Sequence, residues 1–293
     1  MLFSGFGKFL LNLRVFLWDA WLTILNWLSP KRKVGAVVAK GLPGHGRRWP
    51  EYMVPGAEDS RCSCPALNTM ANHGILPRDG KNIKFTDIAQ RVHETFNFAI
   101  TFSTFVTMQG ADTLKKDYNT GTCNLSDLDL HNGIEHDASL FRQDAKFQPD
   151  QGKPYIPFVN ELLELASGKD TDGTRVLTIE DLSKFSSMRR ADSRARNPEF
   201  QLDKQHQIFG SANSSTLLAI FGGRVNDLET FLKEERLPDG WESRNRTKKG
   251  LTFIAFNPTT IAVEHGIDET AYVVSEKDKE EDEMEKNESG LKD

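Results

Sequence analysis

The sequence predicts an all-α fold: a single mainly helical domain with a hydrophobic N-terminal helix before it and an acidic tail after it. Three observations carry this. Apolar residues recur at helical spacing in one segment after another, whereas no period-2 alternation of useful length and no internal repeat occurs. With 293 residues, 38% of them hydrophobic, the chain can bury a substantial core. Its 19 Phe against 4 Tyr weight that core toward apolar walls rather than hydrogen-bonding ones. The formal net charge of −5 belongs to the tail, because residues 276–293 hold nine acidic and four basic side chains. The rest is near neutral, with no basic face for nucleic acid.

Taken in order, residues 1–33 are a hydrophobic, membrane-associating segment. Within residues 6–29, Lys8, Asn12, Asp19, Thr23 and Asn26 fall within about 60° of one another on a helical wheel, with Arg14 opposite. The longest uncharged run, Ala20 to Pro30, is far shorter than the roughly 18 residues of a clean transmembrane span, and no small-residue cleavage site follows it. Trp18, Trp21 and Trp27 suit a membrane interface, so the segment reads as a monotopic or strained spanning anchor; a helix packed on the domain itself is the other reading. Lys31, Arg32, Lys33, Arg47 and Arg48 put positive charge on its C-terminal side, which for a spanning helix leaves the following domain in the cytosol.

Residues 34–60, rich in Gly and Pro, read as a linker. The main domain is expected over 61–256, a C-terminal extension over 257–274, and a disordered acidic tail from Ser275. Pro65 to Ala71 reads as a helix, with Pro65 at its first position and Gly74 past its end. Thr86 precedes a helical pattern of Ile88, Val92, Phe96, Ala99, Phe102 and Val106. Ser126 precedes a helix expected to bear Glu135 and His136. Further helices are expected from Phe158 to Ala166, from Thr178 with Asp181 as its capping partner, and around Val225, Leu228, Phe231 and Leu232.

Cys64 is the most informative residue. It precedes Pro65 at a helix N-terminus, where free backbone N–H groups and the helix dipole favour a thiolate. Three cysteines (Cys62, Cys64, Cys123) are too few for a disulfide framework or a zinc site; a Cys62–Cys123 bridge stays open. Glu135 and Ser139, one helical turn apart, could converge their oxygens on Mg²⁺ or Mn²⁺. The other histidines (His45, His73, His93, His131, His206, His265) show no ligand spacing. Asn124 and Asn245 head glycosylation sequons, relevant only in a secretory-pathway lumen, the alternative location.

The stretch from Cys64-Pro65-Ala66-Leu67-Asn68 through Ala71-Asn72-His73-Gly74 to Leu76-Pro77-Arg78-Asp79-Gly80 resembles the proximal loop of the haem-thiolate chloroperoxidases and unspecific peroxygenases. Gly133 to Arg142 looks like that family's distal segment, and Glu235-Arg236-Leu237-Pro238 with Gly240-Trp241 fits a third block, all in family order over roughly residues 55–250. The resemblance implies haem b with an axial thiolate from Cys64, lined by Pro65, Ala66 and Leu67. It implies a divalent ion beside a haem propionate, held by Glu135, Ser139 and the carbonyl of His136. It makes His136 the partner of a distal carboxylate that relays a proton during peroxide cleavage. Here the sequence departs from the family: Asn213, 77 residues after His136, stands where that Glu is expected, and an amide cannot relay a proton near neutrality. The implied function is oxidation of a small, largely apolar organic substrate by hydrogen peroxide, by oxygen transfer or halide oxidation, as in tailoring of a specialised metabolite. The alternative is a haem-binding carrier, sensor or scaffold that has lost peroxide chemistry.

Overall fold

A computed structural model describes residues 2–272 and bears out the mainly helical class. The acidic tail expected from Ser275 lies outside the described residues. The α-helices are α1 (Leu2–Leu28), α2 (Pro65–Asn72), α3 (Phe85–Phe96), α4 (Ile100–Thr113), α5 (Ile156–Glu164), α6 (Ile179–Arg196), α7 (Lys204–Phe221), α8 (Val225–Glu234) and α9 (Phe253–His265). Two antiparallel two-residue ladders join them, β1 (Ile83–Lys84) with β2 (Thr122–Cys123), and β3 (Gly168–Lys169) with β4 (Arg175–Val176). The core gathers Phe85, Leu162, Leu182, Phe185, Leu217, Leu228 and Leu232, all almost fully buried. Against it, Trp241 stacks on Phe221 at 4.8 Å between ring centres and meets Phe96 edge-on.

Local signals explain several boundaries. Thr178 accepts from the Asp181 N–H while Asp181 accepts from the Thr178 N–H, so α6 starts on the expected reciprocal cap. Asp203 caps α7 in the same sense through the His206 N–H. The apolar pattern from Ile88 to Val106 belongs to two helices rather than one. Asn97 takes a left-handed conformation (φ 58°) and ends α3. Its amide donates to the carbonyls of Asn245 and Thr247, and Ala99 and Leu251 complete the junction through Ala99 N–H to Leu251 O and Leu251 N–H to Asn97 O. Gly250 (φ 84°) is required there, since a Cβ would lie 2.5 Å from the Phe98 carbonyl.

α1 packs on α4 and α9 with its polar stripe inward. Asp19, 1% exposed, accepts from the Thr101 hydroxyl and from the N–H groups of Phe253 and Ile254, and so caps α9 from outside that helix. Thr23 bonds Thr252, and Asn26 bonds both Gly250 and Lys249. Among the described residues, no helix is long and apolar enough to cross a membrane.

Candidate functional site

Cys64 is the N-cap residue of α2, half-buried and unbridged, with Pro65 at the first helical position. The Ala66 and Leu67 N–H groups at the helix N-terminus pull the Cys64 thiol pKa down, although the side chain makes no cap hydrogen bond. The sequence leads one to expect a lowered thiol pKa; burial instead raises it, outweighing those two amides, so the thiol is the resting form. Cys62 and Cys123 are buried free thiols, both pushed up by burial, and the open Cys62–Cys123 bridge is absent. Of the three, Cys64 alone combines partial access with a place at a helix N-terminus. That placement fits an axial thiolate for haem iron.

The three sequence blocks converge directly behind this loop. Asn68 on α2 holds the Cys62 segment through both its amide nitrogen (to Cys62 O) and its oxygen (from Cys62 N–H). The same nitrogen donates to Glu235, whose carboxylate also receives Arg142 at 2.6 Å. Arg142 is 0% exposed and donates further to the carbonyls of Gln151 and Phe141. Glu235 has a left-handed backbone (φ 49°), and its carbonyl accepts from Asn72. Burial pushes the Glu235 carboxyl up, against the pull of Arg142 and Asn68. His73 closes α2: its Nδ1 faces the Pro50 carbonyl and its Nε2 accepts the Leu237 N–H. Asp129, raised to about 6 by burial, accepts the Ser63 N–H beside Cys64. Positions 61–73, 142 and 235–237 therefore form one rigid support.

The segment bearing Glu135 and His136 is not the expected helix. Only a 3₁₀ turn, Leu125–Asp129, precedes it, and residues 131–150 are turns and bends. Asn132 (φ 58°) and Ala138 (φ 61°) are left-handed, which no continuing α-helix allows. Asp144 imposes the bend: it accepts from Ala138 N–H, from Ser193 and from Asn197, with Arg189 at 3.5 Å. Glu135 and Ser139 consequently do not share a helical face. Glu135 instead bonds His131 at 2.6 Å, a histidine that four-residue spacing to Glu135 could have flagged. The second Glu135 oxygen is buried without a partner, and burial raises the carboxyl. Among the described residues no cluster of three or more His, Cys, Asp or Glu could hold a metal. The orphaned Glu135 oxygen is a hard donor left free at this bend.

His136 is buried, its Nδ1 bonded to the Asp137 carbonyl. A carbonyl only accepts, so Nδ1 carries the proton and Nε2 is left as an acceptor. Burial depresses its pKa to about 4. Its imidazole lies against α7, where a Cβ on Gly210 would sit 3.2 Å from the ring, and its ring centre is 5.9 Å from that of His206. His206 is buried, with Nδ1 3.0 Å from Asp203 and Nε2 unpartnered. Asn213 is on the same α7 face as His206 and Gly210, one turn past the His136 contact, and is exposed. The two carboxylates that precede α7 in sequence are engaged elsewhere: Glu199 pairs with Lys146 and Asp203 caps α7. Two surface depressions, of about 360 and 260 Å³, lie elsewhere; the first lies over Trp49, Tyr52, His73 and Arg236, the second over Phe158, Phe185, Met188 and Arg189.

The family described as "Peroxidase, family 2" matches residues 50–246. The chain is 34% identical to chloroperoxidase of Leptoxyphium fumago over 131 residues, covering 39% of this chain and 34% of that protein. It is 27% identical to an aromatic peroxygenase of Coprinellus radians over 222 residues, 67% of this chain and 82% of that protein. A dothistromin biosynthesis peroxidase of Dothistroma septosporum is 25% identical over 234 residues, covering 65% of this chain and 54% of that protein. The chain thus spans about a third of the length of the first relative and about half of the third.

Proposed function

We propose a haem-thiolate oxidoreductase activity for this chain, which belongs to peroxidase family 2: it oxidises a small apolar organic molecule with hydrogen peroxide, in the tailoring of a specialised metabolite. The observation that carries this reading is the half-buried, unbridged Cys64 at the α2 N-terminus, its loop braced by the Glu235–Arg142–Asn68 cluster. Thiolate-ligated haem supplies the electron-rich iron at which a peroxide O–O bond is broken. Cys64 would hold the iron, with Pro65, Ala66 and Leu67 lining the haem site. The α2 N-terminus would favour the thiolate charge, and the buried cluster would fix the loop's position.

His136 would offer Nε2 as the proton acceptor, its tautomer fixed by the Asp137 carbonyl. With a pKa depressed to about 4 it is a weak base at neutral pH. Asn213 would orient a bound oxygen by hydrogen bonds without moving a proton. Glu135, the His136 carbonyl and Ser139 would hold Mg²⁺ or Mn²⁺, a role supported by the orphaned Glu135 oxygen. The exposed amide at 213 also favours a second reading, a haem-binding carrier or sensor without peroxide turnover. A reduced-CO difference spectrum with peroxide turnover on the same preparation separates the two: a thiolate-type Soret band with turnover supports the enzyme, the band alone the carrier, and no such band rejects both.

The reading includes membrane association through residues 6–29 with the domain on the cytosolic side. The outward apolar residues of α1 support association, and the engagement of the Asn245 amide by the Asn97 carbonyl leaves that sequon's side chain occupied.

A further inference from the structure

α1 inverts the usual arrangement of a surface helix. A helix on a water-facing surface buries its apolar stripe and exposes its polar one. Here Asp19, Thr23 and Asn26 are spent on Thr101, Thr252, Gly250 and the α9 N-terminus. The opposite side presents Leu17, Trp18, Trp21, Ile24, Trp27 and Leu28 to solvent, with Trp27 80% exposed. From Leu10 to Leu28 this face runs about 27 Å at 1.5 Å per residue. A contiguous apolar face of that size is a binding surface rather than scatter.

Its C-terminal end adjoins a basic cluster drawn from two distant stretches. The Arg32 N–H donates to the Arg246 carbonyl and the Arg32 guanidinium to the Lys248 carbonyl, while the Lys249 N–H reaches Asn26 on α1. Lys31, Lys33, Lys248 and Lys249 are exposed, and among the described residues none of them, nor Arg32 or Arg246, forms an ion pair. The nearby Glu242 is taken up by the N–H groups of Gly35 and Val37. Arg14 stands exposed on the apolar side itself, where a long cationic side chain reaches headgroups from a buried stem.

We infer that this face is a monotopic docking surface for an anionic lipid bilayer: the tryptophans enter the interface, the basic cluster contacts acidic headgroups, and Asp19 fixes the domain's orientation. This rests on the membrane association proposed above and specifies its lipid and the atoms that hold the helix. Helices lying in the interface combine such an apolar face with cationic residues, and each Lys or Arg near an anionic surface strengthens binding about fivefold.

The test is sedimentation of the haem-loaded full chain with vesicles of phosphatidylcholine alone or with phosphatidylserine added. Binding is expected to the anionic vesicles and to fall as salt rises. Lys31→Gln, Lys33→Gln and Lys248→Gln together should weaken it about 100-fold. Trp21→Asp with Trp27→Asp should abolish it, with the haem spectrum of both variants unchanged. Equal binding to neutral vesicles would leave membrane association standing and overturn the anionic selectivity. Failure to bind either vesicle, with a dimer in solution that Trp27→Asp dissociates, would give the face to a second copy and overturn the inference. Neither failure touches the haem reading, which the spectrum reports separately.

Discussion

Replacing Glu235 by Gln keeps the shape of the side chain and removes its charge from a buried site. The Gln oxygen can still accept from Arg142 and Asn68, both of which now bond the same carboxylate oxygen. The guanidinium of Arg142, 0% exposed, is left without its closest counter-charge. Breaking one partner of a buried pair costs about 3–5 kcal/mol. Asp129 lies close enough for Arg142 to affect its titration, so partial compensation puts the expected loss at the lower end, about 3 kcal/mol. The assay is denaturant unfolding of the haem-loaded protein, read as a midpoint shift at constant slope. Since the raised Glu235 carboxyl shows that ionisation there is itself unfavourable, Arg142→Met combined with Glu235→Gln should recover part of the loss. A single-variant loss below about 1 kcal/mol, or strictly additive losses in the double variant, would refute the argument.

Asp19→Ala should destabilise the protein by about 2–4 kcal/mol, from a lost cap and an orphaned Thr101 hydroxyl, measured as a melting shift. A purely membrane-associating segment would, on truncation before Val34, release a soluble protein with an unaltered haem spectrum; the docking of α1 predicts a loss of stability matching that of Asp19→Ala, and an unchanged melting point would contradict it. Because the His136 pKa is depressed to about 4 from an ordinary 6.5, its contribution is fully present above pH 6.5 and lost as pH falls toward 4. That contribution reaches about 3 kcal/mol, so His136→Gln should flatten the stability profile between those values, and parallel profiles would refute it. Asn213→Glu should raise peroxide turnover, since a positioned acid–base group contributes about 10²–10⁴-fold; a wild type already fast and unaffected by the change would show that position 213 does not face the iron.

What was legible in the sequence is what local chemistry determines. Cys64-Pro65 marked the start of α2, Thr178 with Asp181 the start of α6, and the spacing of Val225, Leu228 and Phe231 marked α8. The misreadings share one cause, a partner far along the chain. The left-handed turn at Asn97 is held by Asn245 and Thr247, so apolar spacing runs through a break it cannot register. Glu135 and Ser139 have helical spacing, yet Asp144 and the α6 residues Ser193 and Arg189 hold the chain in a bend. The polar stripe of α1 was visible, but whether it met water or protein depended on Thr101 and the start of α9. The Arg142–Glu235 pair was present only as two residues in separate blocks; nothing local says that they meet.

The central claim is that Cys64 is the iron ligand, and the reduced-CO difference spectrum tests it most directly. Wild type and Cys62→Ala, whose sulfur is buried against Asn68, should both show the thiolate-type Soret band. Cys64→Ala should lose it. Retention of the band in Cys64→Ala, or its loss in Cys62→Ala with Cys64 intact, would contradict the account.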